Sequence, residues 1–193
     1  MENNESQTIA RIKGGELDQF GRLYDLYIKK IYNFIYYKTL HKETAEDLTS
    51  QTFFKALKNI KSFDEAKGSF SSWIYRIARN TVIDYHRTKR TEANIDDIWD
   101  LSSDSNIETD INTIQKLDTV KKYLQKFKPQ QREIVIMRLW DQLSYQEIAE
   151  ITGLTVANCK MTFSRVITKL REEMSFVIFY ILLITKQILW LIK

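Results

Sequence analysis

The chain has 193 residues, a mass of 23.0 kDa and a formal net charge of +4, enough for one or two compact domains. Its 5 Gly and 1 Pro argue against a β-sandwich or barrel, whose many turns require these residues, and favour helices. The single cysteine excludes an internal disulfide and indicates a reducing compartment, and the polar first residues predict no secretory signal.

Apolar residues recur at helical spacing through the first ninety residues. The pattern predicts a first helix over 16–37, a second that begins near 42–44, a loop over 63–72, and a third that starts at Trp73 and ends in the basic cluster 86–90. The apolar face of the first helix consists of Leu17, Phe20, Leu23, Tyr24, Tyr27, Ile31, Phe34 and Ile35. These helices are expected to pack as one bundle.

Charge divides the chain into segments. Residues 1–90 hold 16 Lys/Arg against 11 Asp/Glu, residues 91–113 hold 7 Asp/Glu and no Lys/Arg, and residues 114–175 hold 11 Lys/Arg against 7 Asp/Glu. We therefore predict an all-α chain with helical domains at 1–90 and 114–175, an acidic flexible linker at 91–113, and a hydrophobic tail at 176–193. Two basic lobes indicate a nucleic-acid partner, whereas the alternative for the strip is a plain solvated spacer.

The second lobe carries the signature of a helix-turn-helix. Ser144 with Glu147 forms a capping box, Gly153 supplies the left-handed residue that ends a helix, and Thr155 is placed to cap the next one. The polar face of that next helix presents Asn158, Lys160, Met161, Ser164 and Arg165. Such a unit reads the major groove of DNA, and the alternative is an ordinary helical hairpin.

Three segments together resemble the bacterial sigma factors of the extracytoplasmic-function (ECF) group over about residues 10–174. They are AEDLTSQTFFKAL (45–57), GSFSSWIYRIARNTVIDYHRTKR (68–90) and PQQREIVIMRLWDQLSYQEIAEITGL (129–154). The resemblance implies an initiation factor that binds core RNA polymerase, directs it to promoters and opens the minus-ten element. It also implies a chain that is not an enzyme and needs no cofactor or metal. Its expected partners are core polymerase, promoter DNA and an anti-sigma factor.

The resemblance also implies roles for individual residues. The residues implied to contact the clamp helices of the polymerase beta-prime subunit are Glu46, Asp47, Thr52 and Phe53. Contact with minus-ten DNA falls to Phe70, Trp73, Arg76, Ile77, Arg79 and Asn80, with Asn80 as the candidate for hydrogen bonding to an unstacked base. Contact with minus-thirty-five DNA falls to Thr155, Lys160, Met161, Ser164 and Arg165.

The residues of 68–90 independently fit this role, because single-stranded DNA is bound by aromatic faces and cations, and both are abundant there. An alternative for Phe70, Trp73 and Ile77 is a place in the core. Two rival functions are a helix-turn-helix regulator that binds duplex DNA without polymerase, and a membrane-associated interaction protein. The chain departs from the family at Ser50-Gln51, where Gln-Glu is frequent, and at Asn158-Cys159, where Thr-Val is usual.

The last segment, 176–192, is apolar apart from Thr185, Lys186 and Gln187. A helix of this length spans roughly 26 Å, near the lower limit for crossing a bilayer. Three interpretations stay open: attachment of a cytoplasmic protein to the inner face of the membrane, docking on a protein surface, or a shifted reading frame.

Overall fold

The computed structural model describes residues 2–39, 41–92 and 126–173. The chain divides into two compact units, Met1–Ser105 and Asn106–Lys193. The prediction of two helical domains is confirmed, and the regular structure within the described ranges is all helical. Most of the acidic linker, the apolar pattern that resumes at Ile114, and the tail lie outside these ranges. No helix in the described part of the chain is both long and apolar enough to cross a bilayer.

Up to residue 92, the described part of the first unit is a bundle of four α-helices joined by short 3-10 turns. The α-helices are α1 (Glu2–Lys13), α2 (Phe20–Thr39), α3 (Lys42–Asn59) and α4 (Phe70–Glu92). The 3-10 turns are Leu17–Gln19, Ile60–Ser62 and Glu65–Lys67.

Helix α2 lies at the centre of this unit and contacts α1, α3 and α4. Its residues Leu23, Ile31 and Phe34 are fully buried because they recur on one face at spacings of eight and three residues. Small residues on α3, Ala45 and Ala56, are also fully buried and allow its backbone to approach its neighbours closely. The predicted start of α3 at 42–44 is confirmed.

Helix α1 was not expected, because its sequence is polar and has few apolar residues. Ile9 and Ile12 are buried against the bundle, at 2% and 0% exposure. The hydroxyl of Tyr27 donates to Glu5 Oε2 at 2.8 Å. Lys13 Nζ donates to the Phe63 carbonyl and lies 5.4 Å from the centre of the Phe63 ring. Tertiary contacts therefore stabilise a helix that local pattern does not indicate.

Three boundaries differ from the predictions. The first long helix begins at Phe20 rather than at residue 16, because the chain turns at Gly15, whose φ is 111°. Leu17 and Tyr24, predicted on the apolar face, are 56% and 42% exposed. The predicted loop ends at Ser69, whose hydroxyl accepts a hydrogen bond from the Ser72 N–H at 3.1 Å and so begins α4 at Phe70.

The second unit contains α5 (Pro129–Leu139), α6 (Tyr145–Thr152) and α7 (Val156–Glu173). Pro129 begins α5, because its missing N–H is not needed in a first helical turn. One core cluster in the described part of this unit joins α5 and α7 to Phe127, two residues before α5, and is formed by Phe127, Val135, Val166 and Leu170.

Candidate nucleic-acid and polymerase interfaces

The solvent-facing side of α4 brings together several of the residues predicted to contact minus-ten DNA. Arg76 and Asn80 are exposed and lie four residues apart, so they project from the same side of the helix. Trp73 and Ile77 are half-buried at the edges of this side. Arg79 is half-buried and lies three residues after Arg76, at the border of this side. We call the surface formed by Trp73, Arg76 and Asn80 the α4 face.

Phe70 is placed differently from the expectation for a DNA-contacting residue. It is 1% exposed, and its ring packs against Phe63 at 5.6 Å, Trp73 at 5.5 Å and Tyr27 at 5.4 Å between centroids. The alternative of a core position is therefore the one observed for Phe70. The Phe70 ring packs against Trp73, and Trp73, which is half-buried, is the residue of this cluster that lies on the α4 face.

The segment before α4 is held by local hydrogen bonds. Asp64 Oδ1 accepts from the Ala66 N–H at 3.1 Å, and Asp64 Oδ2 forms an ion pair with Lys67 at 3.3 Å. The backbone hydrogen bond from Ala66, with a lesser effect of Lys67, lowers the pKa of Asp64. Gly68 follows with a φ of 146°, a conformation that side chains disfavour. The loop therefore presents a fixed path to the start of α4.

The residues predicted to bind polymerase divide between the surface and the core of α3. Glu46 and Asp47 are exposed. Thr52 is 0% exposed and donates to the Leu48 carbonyl at 2.7 Å. Phe53 is 4% exposed and packs on Tyr24 at 4.8 Å between ring centroids. The placement of Thr52 and Phe53 does not support direct contact with a partner, because both side chains are used by the core.

The exposed side of α3 instead carries an aromatic residue that sequence reasoning missed. Phe54 is 69% exposed, and Asp47, Ser50 and Gln51 lie seven, four and three residues before it, all exposed on the same side. We call these four residues the α3 face. The signal in the sequence is an apolar residue directly after a core position, where the helix turns its side chain outwards by about 100°.

Helices α3 and α4 are joined near these faces by a polar contact. Lys55 Nζ donates to Thr81 Oγ1 at 3.1 Å, and Thr81 itself is buried. The contact ties the α3 residue next to Phe54 to the α4 residue next to Asn80. It therefore fixes the α3 face and the α4 face relative to each other within the first unit.

The second unit contains the capping hydrogen bonds and the left-handed glycine that were predicted for a helix-turn-helix. The Glu147 N–H donates to Ser144 Oγ at 3.1 Å, and the Ser144 N–H donates to Glu147 Oε2 at 2.9 Å. Gly153 ends α6 with a φ of 74°. The Asn158 N–H donates to Thr155 Oγ1 at 3.2 Å, so Thr155 caps α7. Local hydrogen bonds thus determine where α6 and α7 begin, and a left-handed glycine determines where α6 ends.

Helix α7 separates its buried and exposed residues as expected. Cys159 is 0% exposed, and burial raises the pKa of its thiol, which therefore packs as a small apolar group. The side that faces solvent carries the four remaining residues predicted to contact minus-thirty-five DNA, Lys160, Met161, Ser164 and Arg165. We call these four residues the α7 face.

Tyr145 was not singled out by sequence reasoning and supports the α7 face. Its ring centroid lies 5.9 Å from Lys160 Nζ, 5.9 Å from the Phe163 ring and 4.7 Å from the Arg138 guanidinium carbon. Arg138 Nη1 also donates to the Leu143 carbonyl at 2.9 Å. The aromatic residue directly after the Ser144 cap is the available sequence signal.

Comparison with known proteins decides the family. Residues 23–92 match the family model for Sigma-70 region 2, and residues 117–170 match the model for Sigma-70 region 4. The ECF RNA polymerase sigma factor SigW of Bacillus subtilis is 30% identical over 185 residues, which cover 90% of this chain and 98% of SigW. The chain belongs to the ECF RNA polymerase sigma factors.

Two further proteins agree with this assignment. The ECF RNA polymerase sigma factor BldN of Streptomyces coelicolor is 36% identical over 154 residues, and the match covers 76% of this sigma factor and 57% of BldN. The sigma factor RpoE of Bartonella quintana, solved with the anti-sigma factor NepR, is 25% identical with a TM-score of 0.67. That match covers 79% of this chain and 94% of RpoE.

The prediction of an initiation factor for promoter-specific transcription is thereby confirmed, and the rival regulator without polymerase is not favoured. In the described ranges of this sigma factor, no group of three or more His, Cys, Asp and Glu residues is arranged to hold a metal ion. The candidate sites in the described residues are the α3 face, the α4 face and the α7 face.

Proposed function

We propose that this sigma factor binds core RNA polymerase through the α3 face, holds unpaired minus-ten bases on the α4 face and reads duplex minus-thirty-five DNA with the α7 face. The observation that carries the proposal is the α4 face, where Trp73, Arg76 and Asn80 offer an aromatic ring, a guanidinium group and an amide within two helical turns. Ring stacking and phosphate pairing are the contacts that unpaired DNA makes. A duplex-only regulator has no use for this combination.

Transcription from purified components tests the proposal. The full chain is mixed with sigma-free bacterial core polymerase and a promoter library, and transcripts are sequenced. We expect discrete start sites whose upstream thymines become reactive to permanganate. Duplex binding without transcripts would support the regulator instead.

Asn80→Ala provides the variant for the opening step. Asn80 is exposed, so we expect the variant to fold and to bind core polymerase normally, but to leave the thymines less reactive. Asn33→Ala is the matched control, because Asn33 is also an exposed helical asparagine and lies on α2, away from the α4 face. Equal loss of opening in both variants would contradict the role given to Asn80.

Polymerase binding is assigned to the α3 face because Phe54 is the most exposed large apolar side chain among those described and Asp47 adds a charge beside it. Exposed aromatic residues with polar neighbours commonly dominate protein interfaces. Phe54→Ala should weaken binding to core polymerase at least tenfold in a fluorescence titration. Leu26→Ala, which removes another exposed apolar side chain, on α2, should leave that affinity unchanged.

We also propose an anti-sigma protein as a second partner, supported by the similarity to RpoE, which was solved with NepR. A genuine anti-sigma partner should release this sigma factor from core polymerase in a competition assay. A protein that binds without displacing it would not fill this role.

The proposed site of action is the cytoplasm, at the inner face of the membrane if 176–193 attaches there. The proposal is supported by the apolar sequence of 176–192. Cells expressing the full chain and a version that ends at Glu173 should be fractionated. Equal recovery of both in the soluble fraction would exclude stable attachment.

A further inference from the structure

Ile83 is an exposed apolar residue on α4 to which no role has been given. Its side chain is 45% exposed, whereas the neighbouring Val82 is 3% exposed and belongs to the core. An isoleucine at this position therefore gains little from packing within the described part of the first unit. The exposed methyl groups of Ile83 are therefore available for contact with a molecule outside the chain.

The neighbours of Ile83 are the residues of the α4 face. Arg76 lies seven residues earlier, Asn80 three residues earlier and Arg87 four residues later, so all four project from the same side of α4. Asp84 forms an ion pair with Arg87 at 3.2 Å and limits where that guanidinium group can lie. Along the helix axis, Ile83 is about 4.5 Å from Asn80, less than one helical turn away.

The chemistry of the bases narrows what Ile83 can contact. The edges of adenine, guanine and cytosine present hydrogen-bond donors and acceptors, and thymine adds one apolar group, its C5 methyl. Helix α7 shows the same arrangement, with Met161 at 45% exposure between Lys160 and Arg165. An apolar side chain flanked by cations is suited to a methyl group on a base whose phosphates those cations hold.

We propose that Ile83 contacts the C5 methyl of a thymine in the minus-ten element and so contributes to sequence preference beside Asn80. This inference rests on the proposed function, because it requires the α4 face to meet promoter DNA. It adds a specificity residue that reads an apolar group, whereas Asn80 reads hydrogen-bonding groups.

Replacement of thymine by deoxyuridine tests the contact, because the exchange removes only the methyl group. A promoter selected with the holoenzyme is synthesised with deoxyuridine at one minus-ten thymine at a time. For the wild-type holoenzyme we expect one position at which affinity falls about fourfold, the effect of one buried methyl group. With Ile83→Ala, the unsubstituted promoter should bind about fourfold more weakly or worse, and deoxyuridine at that position should cause no further loss.

Controls keep the outcomes distinct. Leu26→Ala, on the exposed side of α2, should retain the full sensitivity to deoxyuridine. A wild-type holoenzyme that is indifferent to every deoxyuridine, or an Ile83→Ala variant that keeps the sensitivity, would overturn the proposal. Lower affinity of Ile83→Ala without any sensitivity in the wild type would identify Ile83 as a wedge between bases and would overturn it too. Failure of the wild-type chain to form a promoter complex would instead contradict the proposed function.

Discussion

Single residues decide where the helices of the second unit begin and end. Ser144 and Glu147 exchange hydrogen bonds at the start of α6, and Gly153 ends it in a left-handed conformation. Sequence reasoning finds such features because the interacting groups are three residues apart and need no tertiary contact. The same holds for Pro129 at the start of α5.

The capping box gives a stability prediction. Ser144→Ala leaves the Glu147 N–H at the start of α6 without its acceptor, and should lower the free energy of unfolding of the second unit by about 1 kcal/mol. Calorimetry of the full chain measures the change. Ser164→Ala is the control, because Ser164 is exposed on α7 and alanine favours the helix. The free energy of unfolding of this variant should not decrease. Equal losses would contradict the role of the cap.

His86 gives a prediction about pH. Burial lowers the pKa of its imidazole below the ordinary 6.5, and the positive charges of Lys38 and Lys89 lower it further, while a hydrogen bond with the Lys38 backbone opposes the shift. The unfolded chain therefore takes up a proton near pH 6.5 that the folded chain does not, and stability falls as the pH decreases below that value. His86→Gln should reduce the loss of stability between about pH 7.5 and pH 5.5, measured by denaturant titration. An unchanged slope would contradict this assignment.

The direction of individual side chains was not predictable from the sequence. A resemblance places Thr52, Phe53 and Phe70 at family positions, but consecutive helical residues point about 100° apart. The core takes these three side chains and leaves Phe54 outside. Burial depends on the neighbouring helices, which local sequence does not specify.

At the scale of elements, α4 and α7 both place cations and one apolar residue on their exposed sides. The division of α7 into two sides was predictable, because Cys159, Val166 and Leu170 recur at spacings of seven and four residues. The contact between Lys160 and the Tyr145 ring was not predictable, because it joins two helices across the turn.

The α7 face predicts two different effects of removing a cation. Arg165→Ala should relax the choice of base pair at one minus-thirty-five position, at a cost of about 1–3 kcal/mol for the preferred sequence. Lys160→Ala should weaken binding to all sequences equally and reduce the slope of log K against log salt by about 0.9. Titrations of promoter variants at several salt concentrations measure both. Interchanged results would reverse the two roles.

The buried residues of helix α1 give a prediction about stability. Ile12→Ala removes a fully buried side chain and should lower the free energy of unfolding of the first unit by about 2–5 kcal/mol. Leu17→Ala, at a residue that is 56% exposed, should change it by less than about 0.5 kcal/mol. The free energies of unfolding of the two variants are measured by denaturant titration and by calorimetry. Similar losses would show that α1 is not held as described.

For the whole molecule, the family match accounts for two units in a fixed order along the chain. Low Gly and Pro content was enough to predict an all-α chain, and the alternation of basic and acidic segments was enough to predict two lobes. The packing within each lobe required the structure, because it depends on contacts between residues distant in sequence. We further propose, from the resemblance to the ECF group, that the acidic segment 91–113 occupies basic polymerase surface near the RNA exit path.

The acidic segment gives a prediction at this scale. Replacement of Asp96, Asp97, Asp100, Asp104 and Asp110 by Asn keeps its length and removes five negative charges. If charge matters, initiation and promoter escape should weaken, as measured by the yield of full-length and abortive transcripts. A variant with the residues of 91–113 in a shuffled order keeps charge and length and should remain active. Full activity of the neutral variant would assign the segment the role of a spacer.

The single thiol of Cys159 has a practical consequence for following this protein at work. Because the thiol lies on the buried side of α7 and resists ionisation, maleimide dyes should not react with it in the native state. A second cysteine placed at a solvent-facing position such as Lys58 would then be labelled selectively in an otherwise natural background. Fluorescence from that one position could report, in real time, each step from polymerase capture to release.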